Sequence, residues 1–506
     1  MKKLFTADLI RKLDDLTILH EPVSSINLME RASNAFVNVF VNLFSDSYSV
    51  VVIAGPGNNG GDGLAIARIL NSHKYQVEIL LINKGKLSAD CAANYHRIKN
   101  STDIIISEIT DSDALPELKS ENVLLIDALF GSGLTRSPEG IYKDVIEWMN
   151  LSGKQIVSVD IPSGMFCEDN GVGNEVVVRA SYTISFQLPK IAFILPELNL
   201  CTGKVIVADI GLLPSAIENA DTDYYLVDAT FLKSIFRTRP VFSHKGTFGH
   251  AFIIAGSVGM AGAALLASKA CLRSGAGLVT LYSCASNRII AQTAIPELIF
   301  IADTEADYIS TVPSMANYNS VGVGCGIGLK STGADMLKSL FMQLKTACVI
   351  DADAINLLSE NKHLLNLIPA FSVLTPHPKE FDRLFGCHKS TWQRIQTARV
   401  KAAELKTIIV LKGTHTVVVD TSGRCVFNST GNSGLATAGT GDVLTGLITG
   451  LLAQGYSSLN AAILGVYLHG LAADLALEQQ SEESLIASDV INCFGNAFKY
   501  LNTIES

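Results

Sequence analysis

Short apolar runs rich in branched residues alternate with helix-like stretches along almost the whole chain, and no other feature limits its fold as much. SVVVIA at 49–54 and VEILLI at 77–82 open the series, which continues at 103–107, 122–127, 155–160, 181–186 and 203–209. A second series occupies 250–255, 277–283, 319–323, 347–351, 372–375, 407–411 and 416–419. Short strands joined through helices imply βαβ units and mainly parallel sheets covered on both faces. Residues 1–48 read as helical, with Leu28, Ala32, Ala35, Phe36 and Val39 at helical spacing, and the small-residue stretch 434–453 reads as a buried helix. At 506 residues the chain exceeds one core. GLLPSAIENADTDYY (211–225), with its proline, small polar residues and acids, marks the boundary. The expected domains are 1–218 and 219–506, both α/β and with no common period.

Composition removes several classes of function. A net charge of −9 leaves no basic stripe for nucleic acid. No run is expected to reach the ~18 apolar residues of a membrane span. The opening MKKLFTADLIRKLDDL is broken by Asp8 and Asp14 and does not read as a secretory signal. Ten cysteines lie far apart without C-x-x-C or Cys/His spacing, as expected of reduced, mostly buried thiols in the cytoplasm.

The first chemical question is posed by Gly55-Pro-Gly-Asn-Asn-Gly60, which spells G-x-G-x-x-G after a strand. A dinucleotide fingerprint also needs an acid about 20 residues on, at the end of the next strand. That strand, VEILLINKGK, ends in Asn83 and Lys84, and its only acid, Glu78, stands at its beginning. Hydride transfer is therefore rejected. Two further strand ends carry polar or acidic residues beside glycine, in IDALFGSGLTRSPEG and VSVDIPSG. Glycines there let amides approach a phosphate, and a helix beginning near Gly63 would add its positive end. Asp127 and Asp160 each close an apolar strand, a costly place for a carboxylate unless it is paired, bonded or bound to a cation. Asn59, Asp127 and Ser163 would offer a hard cation an all-oxygen nest, leaving Asp160 for proton transfer. The alternative is that these acids cap turns.

In the second half, Ala438-Gly-Thr-Gly-Asp442 precedes an apolar small-residue helix. Its amides make an anion hole for a transferring phosphoryl group, and Asp442 can accept a proton from a substrate hydroxyl. An ordinary acid in the first turn of a tightly packed helix is the other reading. No G-x-x-x-x-G-K-[ST] occurs, which argues against a P-loop ATPase.

These motifs fit known families. SSINLMERAS, GPGNNGGDGLAIAR, DALFGSGL, VDIPSG and FQLPK, spanning roughly 5–211, resemble the NAD(P)H-hydrate epimerase family. The resemblance implies a Rossmann-like three-layer domain that inverts C6 of a hydrated nicotinamide ring. It implies Asn58, Asn59, Gly60, Gly61 and Asp62, with Gly131, Ser132, Gly133, Leu134, Thr135, Arg136 and Ser137, around phosphates and ribose. Asp160 would lie at the ring, and Asn59, Asp127 and Ser163 would hold potassium. Lys190 is either a charge partner in this site or a surface lysine.

The GTGD segment resembles the ribokinase-like superfamily. With AGSVGMAGAALLASKACLRSGAGLVTL, GVGCGIG, DADAINLL, LTPHPKEFDRLFG and LKGTHTVVV it resembles the ADP/ATP-dependent NAD(P)H-hydrate dehydratases, over roughly 226–503. That resemblance implies Asp442 as base and Gly441 at the phosphate. Lys412, Gly413, Thr414, His415 and Thr416 would hold the adenine nucleotide, with magnesium accompanying ADP or ATP. Ala263, Gly326, His377 and Asp442 would contact hydrated NADH or NADPH. Cys325 departs from the family's proline. Asp351 and Asp353 stand at another strand end, with a magnesium-orienting or a supporting role equally open. The implied protein is a bifunctional cytoplasmic repair enzyme, expected as a homo-oligomer without membrane or nucleic-acid partners. The alternatives are a kinase for a vitamin-type alcohol with a passive N-terminal nucleotide-binding module, or an N-terminal half that serves only protein interaction.

Overall fold

The structure is a computed structural model describing residues 1–83, 85–171 and 173–503, so Lys84 lies outside the described residues. Its strands are β1 (Lys2–Lys3), β2 (Ser49–Ala54), β3 (Gln76–Ile82), β4 (Ile105–Ile109), β5 (Val123–Ala128), β6 (Gln155–Val159), β7 (Tyr182–Phe186), β8 (Lys204–Ala208), β9 (Tyr224–Leu226), β10 (His250–Ile254), β11 (Leu278–Ser283), β12 (Ile299–Ala302), β13 (Ser320–Val323), β14 (Cys348–Ile350), β15 (Val373–Leu374), β16 (Ile408–Leu411), β17 (Val417–Val419) and β18 (Cys425–Phe427). The chain forms two compact units. One is Leu4–Thr222 with Lys389–Trp392; the other is Met1–Lys3, Asp223–His388 and the chain from Gln393 onward.

The N-terminal unit holds a seven-stranded sheet in the order β4-β3-β2-β5-β6-β7-β8, with every pair parallel. Its central strands are buried along nearly their whole length, as parallel strands covered by helices on both faces must be. The order reverses between β2 and β5, which opens the crevice where open α/β sheets bind ligands. Gly55 follows β2 there, and a Cβ on it would stand 2.1 Å from the Leu129 carbonyl oxygen beyond β5. The two strand ends are thus in backbone contact.

The C-terminal unit has an eleven-stranded sheet, β1-β9-β18-β17-β16-β15-β14-β13-β10-β11-β12. The seven strands from β16 to β12 run parallel. β17 and β18 return antiparallel at one side. β1, β9, β12 and β18, of two to four residues each, are absent from the sequence reading. The buried helix expected over 434–453 begins only at Thr440, since Gly439 in the left-handed region (φ 90°) interrupts the chain before it.

Two helices fill the middle of this unit. Thr440–Ala453 packs so closely on Ala261–Arg273 that a Cβ on Gly446 would stand 1.9 Å from the Ala267 carbonyl oxygen. Gly446→Ala must push these helices apart, and chemical denaturation should show it losing about 1–3 kcal/mol or more. Unchanged stability would mean that the packing relaxes at no cost. The helix Ser458–Ala476 corrects one expectation from composition: it is long and apolar enough to cross a membrane. It is a core helix instead, with 78% of its most apolar window buried inside the fold.

Among the described residues no two cysteines are paired; seven of the ten are buried and Cys387 is exposed.

Candidate functional site

At the switch point of the N-terminal sheet, Asn58–Asp62 do not form a loop. The helix starts at Asn58 with Gly57 as its cap, not near Gly63 as expected, so these residues are its first turns. Close packing overrides the poor helix propensity of the glycines. A Cβ on Gly60 would fall 1.8 Å from the Gly55 carbonyl oxygen, and one on Gly63 2.5 Å from the Ala128 Cβ. The helix N-terminus therefore points at the crevice directly, with its free amides and positive end.

Asp127, at the end of β5, is wholly buried. Its oxygens accept from the Ser163 hydroxyl at 2.5 Å, the Ser163 amide at 2.8 Å, the Ser158 hydroxyl at 2.7 Å and the Leu129 amide at 3.3 Å. Burial pushes its carboxyl up, against these hydrogen bonds that hold it down. The Ser163 hydroxyl also accepts from the Phe130 amide at 2.8 Å, which pins the start of the 130–137 segment. Gly131 lies against the Asn59 side chain: a Cβ there would stand 3.2 Å from it. Asn59 is itself buried, and its Nδ2 has no hydrogen-bond partner. Asn59, Asp127 and Ser163 thus gather as the sequence motifs imply. Further along, Ser137 turns aside to bond the Asn174 side chain at 3.2 Å, while Thr135 and Arg136 are exposed.

Asp160 follows β6 with φ +69°, a left-handed conformation that costs any residue other than glycine about 1–3 kcal/mol and collects at functional sites. Its Oδ1 accepts from the Phe186 amide at 3.1 Å and from the Lys190 ammonium at 2.6 Å. Lys190 is not a surface lysine: it is 1% exposed and also donates to the Ser185 hydroxyl at 2.7 Å. Two more carboxyls share this field. Burial first, and then the charge of Asp160, pushes Asp14 up to about 7. Burial with Asp160, Asp14 and Asp90 pushes Asp62 well above the carboxylate range. Asp14 sits mid-helix in Ala7–His20, where sequence offered no reason to choose it over its neighbour Asp15. One cation here stands among three carboxyls, two of which are pushed toward their protonated form.

In the C-terminal unit the ends of β10, β13, β14, β15 and β16 converge on the N-terminus of Thr440–Ala453. Asp442 lies in the first turn; burial first, then Asp351, pushes it up to about 6. The thiol of the buried Cys325 is hydrogen-bonded to it. The departure from proline thus places a donor on the proposed base, while Gly324 (φ 129°) and Gly326 (φ 62°) keep the loop's path. Gly326 and Ala263 meet, since a Cβ on Gly326 would stand 3.3 Å from that of Ala263.

Asp351 is 1% exposed; its oxygens take the Lys412 ammonium at 2.9 Å and the Thr445 hydroxyl at 2.6 Å. It carries Lys412 to the helix end, where a Cβ on Gly441 would stand 3.5 Å from the ammonium. Asp353 accepts from the Gly328 amide at 2.9 Å. His377 caps the helix Pro378–Phe385: its Nδ1 accepts from the Lys379 and Glu380 amides at 3.1 and 3.3 Å. Burial pushes this imidazole down.

His377, Lys412, Gly413, Thr414, Thr416 and Gly441 line one cavity of about 510 Å³. His415 does not; its Nδ1 is 2.9 Å from the Asn428 carbonyl oxygen. His469, on the core helix, lines the cavity and was not singled out by any motif.

Two family models match the chain. One, described as YjeF-related protein N-terminus, covers residues 25–192. The other, described as NAD(P)H-hydrate dehydratase, covers 251–494. Similar curated proteins are the bifunctional NAD(P)H-hydrate repair enzymes of Moorella thermoacetica (32% identical, over 97% of this chain and 95% of the relative) and Thermofilum pendens (34%, over 94% and 92%). That of Escherichia coli is 31% identical over 92% of this chain and 88% of its own. A solved ADP/ATP-dependent NAD(P)H-hydrate dehydratase from Bacillus subtilis, co-crystallised with ATP and magnesium, is 28% identical. It superposes with a TM-score of 0.49, covering 55% of this chain and 98% of that one.

Proposed function

The chain belongs to the bifunctional NAD(P)H-hydrate repair enzymes, and from this membership we propose how its two sites divide the work. It epimerises hydrated NAD(P)H in its N-terminal half and dehydrates the S form at the expense of ADP or ATP in its C-terminal half. The observation that carries this is the pairing of both family halves, each with a built site, over nearly the whole length of the relatives. The alcohol-kinase reading is not favoured, because it leaves the Asp160–Lys190 site without work.

In the dehydratase site, Asp442 accepts the proton of the C6 hydroxyl as that oxygen attacks the terminal phosphorus of the nucleotide. Lys412, held by Asp351, and the amides around Gly441 face the charge that develops on the phosphoryl oxygens. The C6–O bond then breaks: the ring nitrogen's electrons expel phosphate, and loss of the C5 proton restores the double bond. Hydroxide would be a far poorer leaving group. Magnesium, arriving with the nucleotide, supplies charge neutralisation between its phosphates.

In the epimerase site, Asn58–Asp62 and the backbone from Gly131 hold the phosphates and ribose. Asp160 handles the proton at the C6 hydroxyl while Lys190 fixes its position and charge. Potassium fits the set formed by Asn59, Asp127 and Ser163, which is rich in hard oxygens and includes a wholly buried carboxylate. When bound it supplies a fixed positive charge beside the substrate's phosphates. A homo-oligomer acting in the cytoplasm completes the proposal.

The test supplies both hydrate epimers with magnesium, potassium and either ADP or ATP, and follows reduced-nicotinamide absorbance to its endpoint. Full recovery is expected, with the faster nucleotide identifying the donor. A stall after one epimer would leave the N-terminal half without catalysis. No recovery with either nucleotide would overturn the dehydratase.

A further inference from the structure

His469 lies outside every motif above. It is on the core helix Ser458–Ala476 and is nine-tenths buried, at 9% exposure, yet it lines the cavity shared by Lys412, Thr416, Thr440 and Gly441. The Thr440 main chain favours a proton on the ring, whereas Nε2 is buried and has no hydrogen-bond partner in the protein. A buried nitrogen left unbonded costs the fold, and Val466, Leu468 and Leu471 nearby on the helix show that an apolar side chain would suit it as well. Something outside the protein is therefore the natural partner of Nε2.

The charge state narrows that partner. Burial pushes the imidazole down to about 4, and Lys412 acts in the same direction, so the ring is neutral at working pH. With its proton directed to Thr440, Nε2 carries a lone pair and can only accept. The phosphates of a nucleotide offer acceptors alone. Its donors are the exocyclic amine of the base and the ribose hydroxyls.

We infer that His469 is a specificity residue of this cavity, accepting through Nε2 a hydrogen bond from an N–H or O–H group of the bound adenine nucleoside. The inference rests on reading the cavity as the nucleotide site. It accounts for a histidine in the buried, mostly apolar stretch of the helix from Ala461 to Ala473 and adds a nucleoside contact to phosphate contacts that cannot tell one base from another.

Calorimetric binding to the full chain tests it, with ATP, purine riboside triphosphate (which lacks the 6-amino group), 2′-deoxy-ATP and 3′-deoxy-ATP. His469→Leu should raise the ATP Kd about tenfold, the loss of one neutral hydrogen bond, and raise the nucleotide KM without moving the hydrate KM. His469→Gln, which can return an acceptor near Nε2, should stay within about threefold of wild type. One analogue should bind wild type about tenfold more weakly and the leucine variant no more weakly than ATP does. Purine riboside triphosphate in that place identifies the amine, and a deoxynucleotide identifies the hydroxyl. Should the leucine variant not fold, the glutamine variant and the analogue series on wild type carry the test. Equal ATP binding by wild type and the leucine variant overturns the inference but leaves the nucleotide site standing. So does wild-type binding that distinguishes none of the analogues. Failure of wild type to bind ATP or ADP overturns the site reading itself.

Discussion

Asp442→Asn is expected to slow dehydration of the S hydrate by roughly 10²–10⁴-fold, the usual worth of a positioned base. The asparagine retains the shape of the side chain in the first turn of Thr440–Ala453 and loses only the carboxylate's favourable interaction with the helix end, about 0.3–1 kcal/mol. Folding and nucleotide binding should therefore survive. Asp442 is pushed up to about 6, by burial first and then by Asp351, with the Cys325 hydrogen bond and then Lys412 opposing. A base works only when deprotonated, so the wild-type rate should fall as pH drops through about 6, and the residual rate of the variant should lack that limb. Initial rates of absorbance recovery on purified S hydrate, from acid to neutral pH, measure both. Near-wild-type turnover in the variant would take the proton from another group and leave Asp442 as a helix-capping acid.

What could be foreseen and what could not follow different physics. Asp127 and Asp160 stood out because each places a carboxylate where an apolar strand makes it costly, and Asp442 because it follows a glycine turn at the start of an apolar helix. A parallel sheet then carries every strand end to one side, so proximity followed from topology. Pairings could not be read in the same way. FQLPK shows a lysine after a proline but nothing of its burial; Lys190 meets Asp160 because the segment after β7 folds back over β6. Asp351 and Lys412, sixty-one positions apart, are joined only by the order of β14, β15 and β16. Asp14 and Asp15 look alike in sequence, and only the docked helix separates them. The start of the first crevice helix was misplaced for a local reason. Glycine-rich sequence reads as loop by propensity, whereas the contact of Gly60 with Gly55 needs those glycines inside the helix.

The second large effect should come from the Asp160–Lys190 pair. Lys190→Met removes the ammonium from a site where Asp160, Asp14 and Asp62 remain, and where Lys190 is 1% exposed. Removing one partner of a buried pair leaves an uncompensated charge, so the variant should lose about 3–5 kcal/mol in denaturant unfolding. Asp160→Asn should lose less. The left-handed backbone at φ +69° suits asparagine as well as aspartate, and Lys190 keeps Asp14 as a counter-charge. The two losses should not add in the double variant, because each single change strands the partner that the other removes. Function separates the pair from a merely structural prop. Asp160→Asn folds yet lacks the group that handles the proton, so the S hydrate should be consumed at the wild-type rate while the R hydrate recovers only as fast as it epimerises spontaneously. Rates for both epimers equal to wild type in Asp160→Asn would remove the ion pair from catalysis, and an unchanged unfolding midpoint in Lys190→Met would remove it from stability. The Ser185 hydroxyl, the Phe193 ring and the Phe186 amide would then fix these two side chains.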